Sequence, residues 1–366
     1  MATTLRPTVA EIRLSAVRKN LQKLKRTAAP ARVLFVVKAN AYGHGALPLA
    51  RLAEREALCW GFGVSSVEEG LALRESGVIS PVLVLGSLYP FESFVEAINA
   101  DLMVTIASLD AARQVTAAVK ELGKKAVCHI KLETGMGRIG ARRPSVLKIY
   151  DELEGSGAVA VAGMYTHLSS ADTDPAYTAE QLGFFGETVK ELKERGARGL
   201  TFHAANSCAA VNIPASRFDM VRCGIAAYGL ADGFEPAMTL KTKIVFIKNV
   251  REGAFISYNK SFRADRPMKI ATIPAGYGDG YLRRFSNKAD VLIGGRRCRV
   301  LGNVTMDMTM VDVTAVKDAA VGSEAVLLGR QGTEEITAQE LADIAGTITY
   351  EIVTLVSGRV PRVYAE

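Results

Sequence analysis

RVLFVVKANAYGHG, residues 32–45, sets a short run of apolar and β-branched residues against a loop of small ones, with Lys38 at the change. Seven later runs repeat the theme, alternating with amphipathic helical patterns: CWGFGV (59–64), VLVLG (82–86), LMVTI (102–106), AVCHIKL (126–132), VAVAGMYTH (159–167), LTFHAAN (200–206) and FDMVRCG (218–224). Continuous apolar runs suit strands buried on both faces, and strands alternating with helices suit parallel units. Eight such units in about 200 residues predict a (β/α)8 TIM-type barrel, an α/β fold. A doubly wound open sheet is the competing arrangement, but it usually carries a glycine-rich dinucleotide turn after its first strand. VKANAYGHG is not such a turn.

After about residue 238 the character changes to short strands separated by turns: KIVFIKNV, MKIATIPAG, ADVLIGG, RRCRVLGNV, MTMVDV and EAVLLG, with a helical insert at TAQELADIAG (337–346). The expected organisation is a barrel over 12–238 followed by a mainly β C-terminal domain over 239–366. The strand-like TVAEIRL (8–14) is expected to pair with that second domain, so residues 1–11 are grouped with it.

With 366 residues, the chain has room for two domains and a substantial core. Charged residues make up 23% and apolar ones 49%, with no apolar run near the ~18 residues of a membrane span. MATTLRPTVAEIRL has no apolar segment after its first charge, which argues against a secretory signal and for a cytoplasmic protein. The five cysteines form no CxxC pair, so neither a disulfide framework nor a metal site is expected. A net charge of +7 is dispersed along the chain, and no nucleic-acid motif accompanies it.

Active sites of such barrels collect at the carboxyl ends of the strands. That filter selects Lys38 after the first strand, Arg138 after the fifth, His167 at the end of the sixth, Asn206 and Ser207 after the seventh, and Arg222 with Gly224 at the eighth. A lysine at a strand end either snorkels to water or is desolvated, and desolvation makes the amine a nucleophile able to form a Schiff base.

Read whole, VVKANAYGHG resembles the cofactor-lysine signature of alanine racemases. The resemblance continues through RPTVAEIRLSAVRKNL, LETGMGRIG, MYTHLSSAD, HAANSCAAV, VRCGIAAYGL, ISYNKSF, IPAGYGDGYLRR, GNVTMDMTMVDV and RVPRVY, in order along nearly the entire chain. It implies pyridoxal 5'-phosphate as cofactor, an α-proton moved between the faces of alanine, D-alanine supplied for peptidoglycan, and a homodimer with shared active sites. Lys38 is then the Schiff-base lysine and the base on one face of the α-carbon, and Tyr258 acts on the other face from the partner subunit. Two groups are needed because a single base tends to return the proton to the side it came from.

The same resemblance implies His167 between that tyrosine and an arginine, and Arg222 donating to the pyridine nitrogen of the cofactor. Arginine effectively stays protonated, so the ring remains a weaker electron sink. Tyr42, Ser207 and the backbone N–H groups of Gly224 and Ile225 are implied as phosphate contacts, with Asn206 alongside. Arg138, Met306, Asp307 and Tyr277 are implied at the substrate, and Lys131 stands where many members carry a carbamylated lysine. The chain departs from the family pattern at Thr305, where many members have cysteine, and at Gly358, where some have tyrosine. The second departure removes a side chain near phosphate and substrate, which leaves a broader amino-acid or serine racemase as the alternative. A fold-related decarboxylase would need a different carboxyl-terminal motif, and a barrel-only cofactor carrier would lack Tyr258.

Overall fold

The computed structural model describes residues 5–366. All eight expected runs form strands: Arg32–Val36, Gly61–Val64, Val82–Val84, Met103–Ile106, Ala126–Lys131, Val159–Tyr165, Thr201–His203 and Met220–Cys223. They pair in parallel and in sequence order, and the eighth returns to the first, with Leu34 opposite Arg222. Between the seventh and eighth the ladder is replaced by single bonds, Asp219 N–H to Phe202 O (3.0 Å) and Arg222 N–H to Ala205 O (2.9 Å). The sheet is thus nearly closed, a barrel with one loosely bonded seam.

Burial follows the pattern that predicted the strands. Gly61–Val64, Val82–Val84 and Met103–Ile106 are buried at every position, as strands covered on one side by helices and on the other by the barrel interior must be. The helix Leu109–Leu122 shows why the intervening patterns turn: Ser108 Oγ accepts the Ala111 N–H, Asp110 lies in the first turn, and Gly123 ends it left-handed. Its buried Ala112, Val115, Ala118 and Val119 line one face, so the cap costs about 1 kcal/mol to remove while the face fixes the docking.

Two compact units partition the chain: Arg18–Ala41 with Ala46–Phe234, and the residues up to Val17 with Tyr42–Gly45 and Glu235–Glu366. In the second unit Val9–Arg13 runs antiparallel to Met238–Lys243 and parallel to Arg362–Ala365. This is the pairing expected of TVAEIRL. Glu324–Gln331, Asp290–Ile293 and Arg296–Arg299 extend that sheet, and Phe246–Val250, Met268–Ile273 and Thr309–Asp312 form a smaller one. The helical insert is Ala338–Ala345, capped by Thr337 and stopped by a left-handed Gly346, and a second helix, Thr349–Thr354, follows it unannounced by the sequence pattern. Among the described residues no helix is long and apolar enough to cross a membrane.

Candidate active site

The first strand does not simply end at Lys38. Ala39, Asn40, Ala41 and Tyr42 have φ of 51°, 52°, 55° and 53°, a left-handed turn that costs L-residues about 1–2 kcal/mol each. Three hydrogen bonds hold it within the barrel unit: Ala39 N–H to Glu69 Oε1 (2.6 Å), Ala41 N–H to Val37 O (2.7 Å) and Ala46 N–H to Asn40 Oδ1 (2.9 Å). Glu69 also accepts from Ser65 N–H and Oγ, so it ties the loop after the second strand to the residue next to Lys38. Burial, helped by the Arg138 charge and opposed by Glu69, pulls the Lys38 ammonium below the usual lysine range.

Arg222 lies within the eighth strand and is 5% exposed. Its two terminal nitrogens donate to His203 O (2.9 Å), Ala204 O (2.9 Å) and Thr166 O (2.6 Å), and Nη1 also reaches His203 Nδ1 at 3.0 Å. Burial pulls the guanidinium down to about 10, which leaves it protonated at neutral pH. His167 Nδ1 is 3.4 Å from Arg222 Nη2. Burial and the Arg222 charge pull that imidazole down to about 3, so it is neutral in any ordinary buffer. Lys131, only 3% exposed, is pulled down to about 7 by burial and then by Arg138 and Arg222.

The structure thus brings Lys38, Lys131, Arg138, His167 and Arg222 into one electrostatic neighbourhood at the carboxyl end of the barrel. Ser207 joins the same end: its Oγ accepts from Gly224 N–H (3.0 Å) and Ala226 N–H (3.4 Å). Asn206 uses its side chain differently, as the cap that accepts Ala209 N–H at the start of Ser207–Asn212. Beside these groups, Arg222 Nε and the Ile225 N–H make no hydrogen bond among the described residues. A neutral ring nitrogen and a phosphate oxygen are the acceptors that these two donors fit.

The remaining expected residues lie in the β-rich unit. The Tyr42 and Tyr350 rings lie 5.9 Å apart, tilted at 49°, and the neighbours of Tyr42 are bound by Arg362 Nε to Gly43 O (2.9 Å) and Tyr364 OH to His44 O (3.3 Å). Tyr258 sits on a turn with Ser257, Asn259 and Lys260 at positive φ, and Asn303 Nδ2 donates to its carbonyl (3.1 Å). Met306 and Asp307 form the tip of a turn closed by Thr305, whose Oγ donates to Met308 O (2.8 Å). Tyr277 N–H and Gly278 N–H donate to the carbonyls of Thr305 and Met306. A Cβ at Gly276 would stand 2.2 Å from Thr305 O, so only glycine permits that stitching. Tyr258, Met306 and Tyr277 are 69%, 52% and 43% exposed, large side chains left uncovered by their own chain.

Several supports were invisible as functional residues in the sequence. Glu133 accepts the N–H groups of Gly135, Met136 and Gly137 (2.5–3.0 Å), shaping the loop that carries Arg138. Arg359 bridges Asp307 (2.6 Å) and the fully buried Asp279 (3.1 Å), which also pairs with Arg6. An acidic residue two positions before the first glycine of a glycine-rich turn is the signal that points to Glu133.

The alanine racemase N-terminal domain model matches residues 12–232 and the C-terminal domain model residues 237–364. An alanine racemase of Symbiobacterium thermophilum is 45% identical over 371 residues, spanning 98% of this chain and 97% of that protein. One of Carboxydothermus hydrogenoformans is 40% identical, with 98% and 100% covered. Among solved structures, the alanine racemase of Bacillus anthracis with bound L-Ala-P superposes with a TM-score of 0.93 at 36% identity, covering 100% of this chain and 96% of that one. That of a D-cycloserine-producing Streptomyces lavendulae gives 0.93 at 35%, with 99% and 98% covered. With both domain models matched and identities of this size over its full length, the chain belongs to the alanine racemase family.

Proposed function

We propose that the chain interconverts L- and D-alanine with pyridoxal 5'-phosphate held on Lys38, and so supplies D-alanine for peptidoglycan. The observation that carries this reading is the pairing of a desolvated strand-end amine with a clamped, protonated arginine whose Nε is left to donate. When bound, pyridoxal phosphate draws electron density from the amino acid's α-carbon and so acidifies its proton.

Lys38, with its ammonium destabilised by burial, is the base on one face of that carbon. Tyr258 serves the opposite face from a second copy of the chain, in a homodimer, which accounts for its exposure in a single chain. Arg222, its Nε left to donate, would hold the ring nitrogen through a hydrogen bond while keeping its own proton. His167, neutral and accepting from Arg222 at Nδ1, carries its proton on Nε2 and is poised to donate it to the tyrosine oxygen. The Ser207 hydroxyl, the Ile225 N–H and Tyr42 would hold the phosphate together with the Gly224 N–H, which donates to Ser207 Oγ here and would share its proton between the two oxygens, with Asn206 ordering the helix start beside them. Arg138 and the Met306 N–H, with Asp307 and Tyr277 near them, hold the substrate carboxylate; the Met306 N–H makes no hydrogen bond among the described residues.

On this reading residues 12–238 bind the cofactor, and residues 239–366 with the amino-terminal strand complete the partner's site. The free cysteines suit the reduced cytoplasm. A broader amino-acid racemase is the second reading, favoured by Gly358, around whose missing Cβ nothing lies within 4 Å. The test is borohydride reduction of the holoenzyme and peptide mapping, with α-proton exchange of L-alanine followed in deuterated water. The label is expected on Lys38 with deuterium entering alanine as D-alanine forms. A label on another lysine, or no exchange, overturns the reading.

A further inference from the structure

Two fully buried imidazoles, His203 and His129, stand in line behind Arg222. His203 Nδ1 is 3.0 Å from Arg222 Nη1, and His203 Nε2 is 2.9 Å from His129 Nδ1. The His203 ring is stacked on Tyr165 (4.8 Å, 12°), and the His129 ring meets that of His203 edge-on (5.0 Å, 74°). A Cβ at Gly163 would come within 2.7 Å of His129, so the sixth strand presses against that ring. His203 is therefore fixed in place by Tyr165, and His129 by His203 and the sixth strand.

Their protons follow from the partners. A guanidinium can only donate, so His203 Nδ1 must present its lone pair to Arg222. A neutral His203 then carries its proton on Nε2 and donates it to His129 Nδ1. His129, accepting there, carries its own proton on Nε2. That last nitrogen is buried and has no partner among the described residues, so the chain of donors ends at it. No other assignment of one proton per ring satisfies both contacts.

We propose that His129 and His203 act as a pair of neutral imidazoles polarised in one direction, both protonated on Nε2, that positions Arg222 with its Nε free to donate. Burial and the Arg222 charge press both rings toward the uncharged form. Neutral imidazole and the three carbonyl oxygens accept from Arg222 without cancelling its charge, whereas a carboxylate in their place would turn the arginine into an ion pair. The pair is a positioning device, since neither ring reaches beyond Arg222 toward the reaction.

The role in cofactor binding rests on the reading of Arg222 given above, but the tautomers do not. The chain holds only four histidines, so selective 15N labelling and long-range 1H–15N spectra of the full-length protein, with and without pyridoxal phosphate, resolve each ring. His129 and His203 are expected neutral with Nε2 protonated at pH 7. A proton on Nδ1 of either ring, or an imidazolium, overturns the proposal.

The second arm compares His129→Asn, whose Oδ1 stands in for the accepting Nδ1, with His129→Leu, which removes the acceptor. Leucine is expected to weaken pyridoxal-phosphate binding about tenfold and to mix the His203 tautomers, while asparagine keeps both near wild type. Equal behaviour of the two variants overturns the positioning role. A wild-type protein that binds no pyridoxal phosphate yet shows the stated tautomers sinks the function of Arg222 and leaves the imidazole pair standing.

Discussion

The Glu69 carboxylate accepts the N–H of Ala39 at 2.6 Å, so the residue beside Lys38 is held from the next βα loop. The bond matters because the turn it starts is left-handed at four non-glycine residues and is unfavourable by itself. Glu69→Ala removes this acceptor and the two bonds to Ser65 together. The variant is expected to lose about tenfold in pyridoxal-phosphate affinity and in kcat, with Glu69→Gln in between because its amide keeps one accepting oxygen. Absorbance titration with the cofactor and alanine racemisation rates check this, and an alanine variant equal to wild type removes Glu69 from the account.

Lys131 carries a pH-dependent prediction. Its pKa of about 7, set by burial first, leaves half the amine uncharged near neutrality and most of it uncharged above. An uncharged amine adds carbon dioxide to give a carbamate and one released proton, and the nearby positive charges of Arg138 and Arg222 that disfavour the ammonium favour this anion. With 13C-bicarbonate a protein-bound carbamate resonance is expected, rising as pH goes up through 7 and absent in Lys131→Met. A wild-type spectrum without it between pH 7 and 9 counts against the modification, and Arg138 would then be held by other groups.

How far the chain was legible depended on what each residue type reveals by itself. The barrel strands could be read because burial on both faces writes an unbroken apolar run, and helix limits because Ser108 and Gly123 carry cap chemistry. The left-handed turn could not, since only Asn40 among its four residues has any inclination toward positive φ. Glu69 and Glu133 look like ordinary surface acids until the backbone groups they accept from are in place. His129 and His203 lie in strands, where alternation tells which face a side chain takes but not which ring it meets. Tyr42 shares a motif with Lys38, yet its segment belongs with the β-rich unit, a long-range preference that local sequence does not encode.

The exposure of Tyr258, Met306 and Tyr277 bears on subunit sharing. If the β-rich unit of one copy completes the site of another, Lys38→Ala and Tyr258→Phe each inactivate both sites of their own homodimers. Mixing the two inactive proteins under conditions that exchange subunits is expected to restore up to about a quarter of wild-type activity: half the dimers are mixed, and each has one intact site. Native mass spectrometry verifies the exchange. Heterodimers that form without recovered activity would mean that both residues act within one chain.

Gly358 leads to the substrate range. Nothing lies within 4 Å of where its Cβ would be, and its φ is not in the left-handed region, so a side chain can start from this position without backbone change. The neighbouring backbone is fixed regardless: Ser357 N–H and Oγ donate to the carbonyls of Asp279 and Gly278, and Arg359 pairs with Asp279 and Asp307. Substitution at 358 therefore changes the space filled and little else. Alanine and serine differ by one hydroxyl, and a pocket without a polar group to reject it discriminates by only about 100-fold. L-Serine is accordingly expected as a measurable secondary substrate. Gly358→Tyr, by filling the open volume, is expected to lower the serine-to-alanine ratio of kcat/KM several-fold while cofactor binding persists. Steady-state kinetics with both amino acids decides it: a wild type that exchanges no α-proton of serine, or a ratio that the tyrosine leaves unmoved, means that the open space at 358 does not face the substrate side chain.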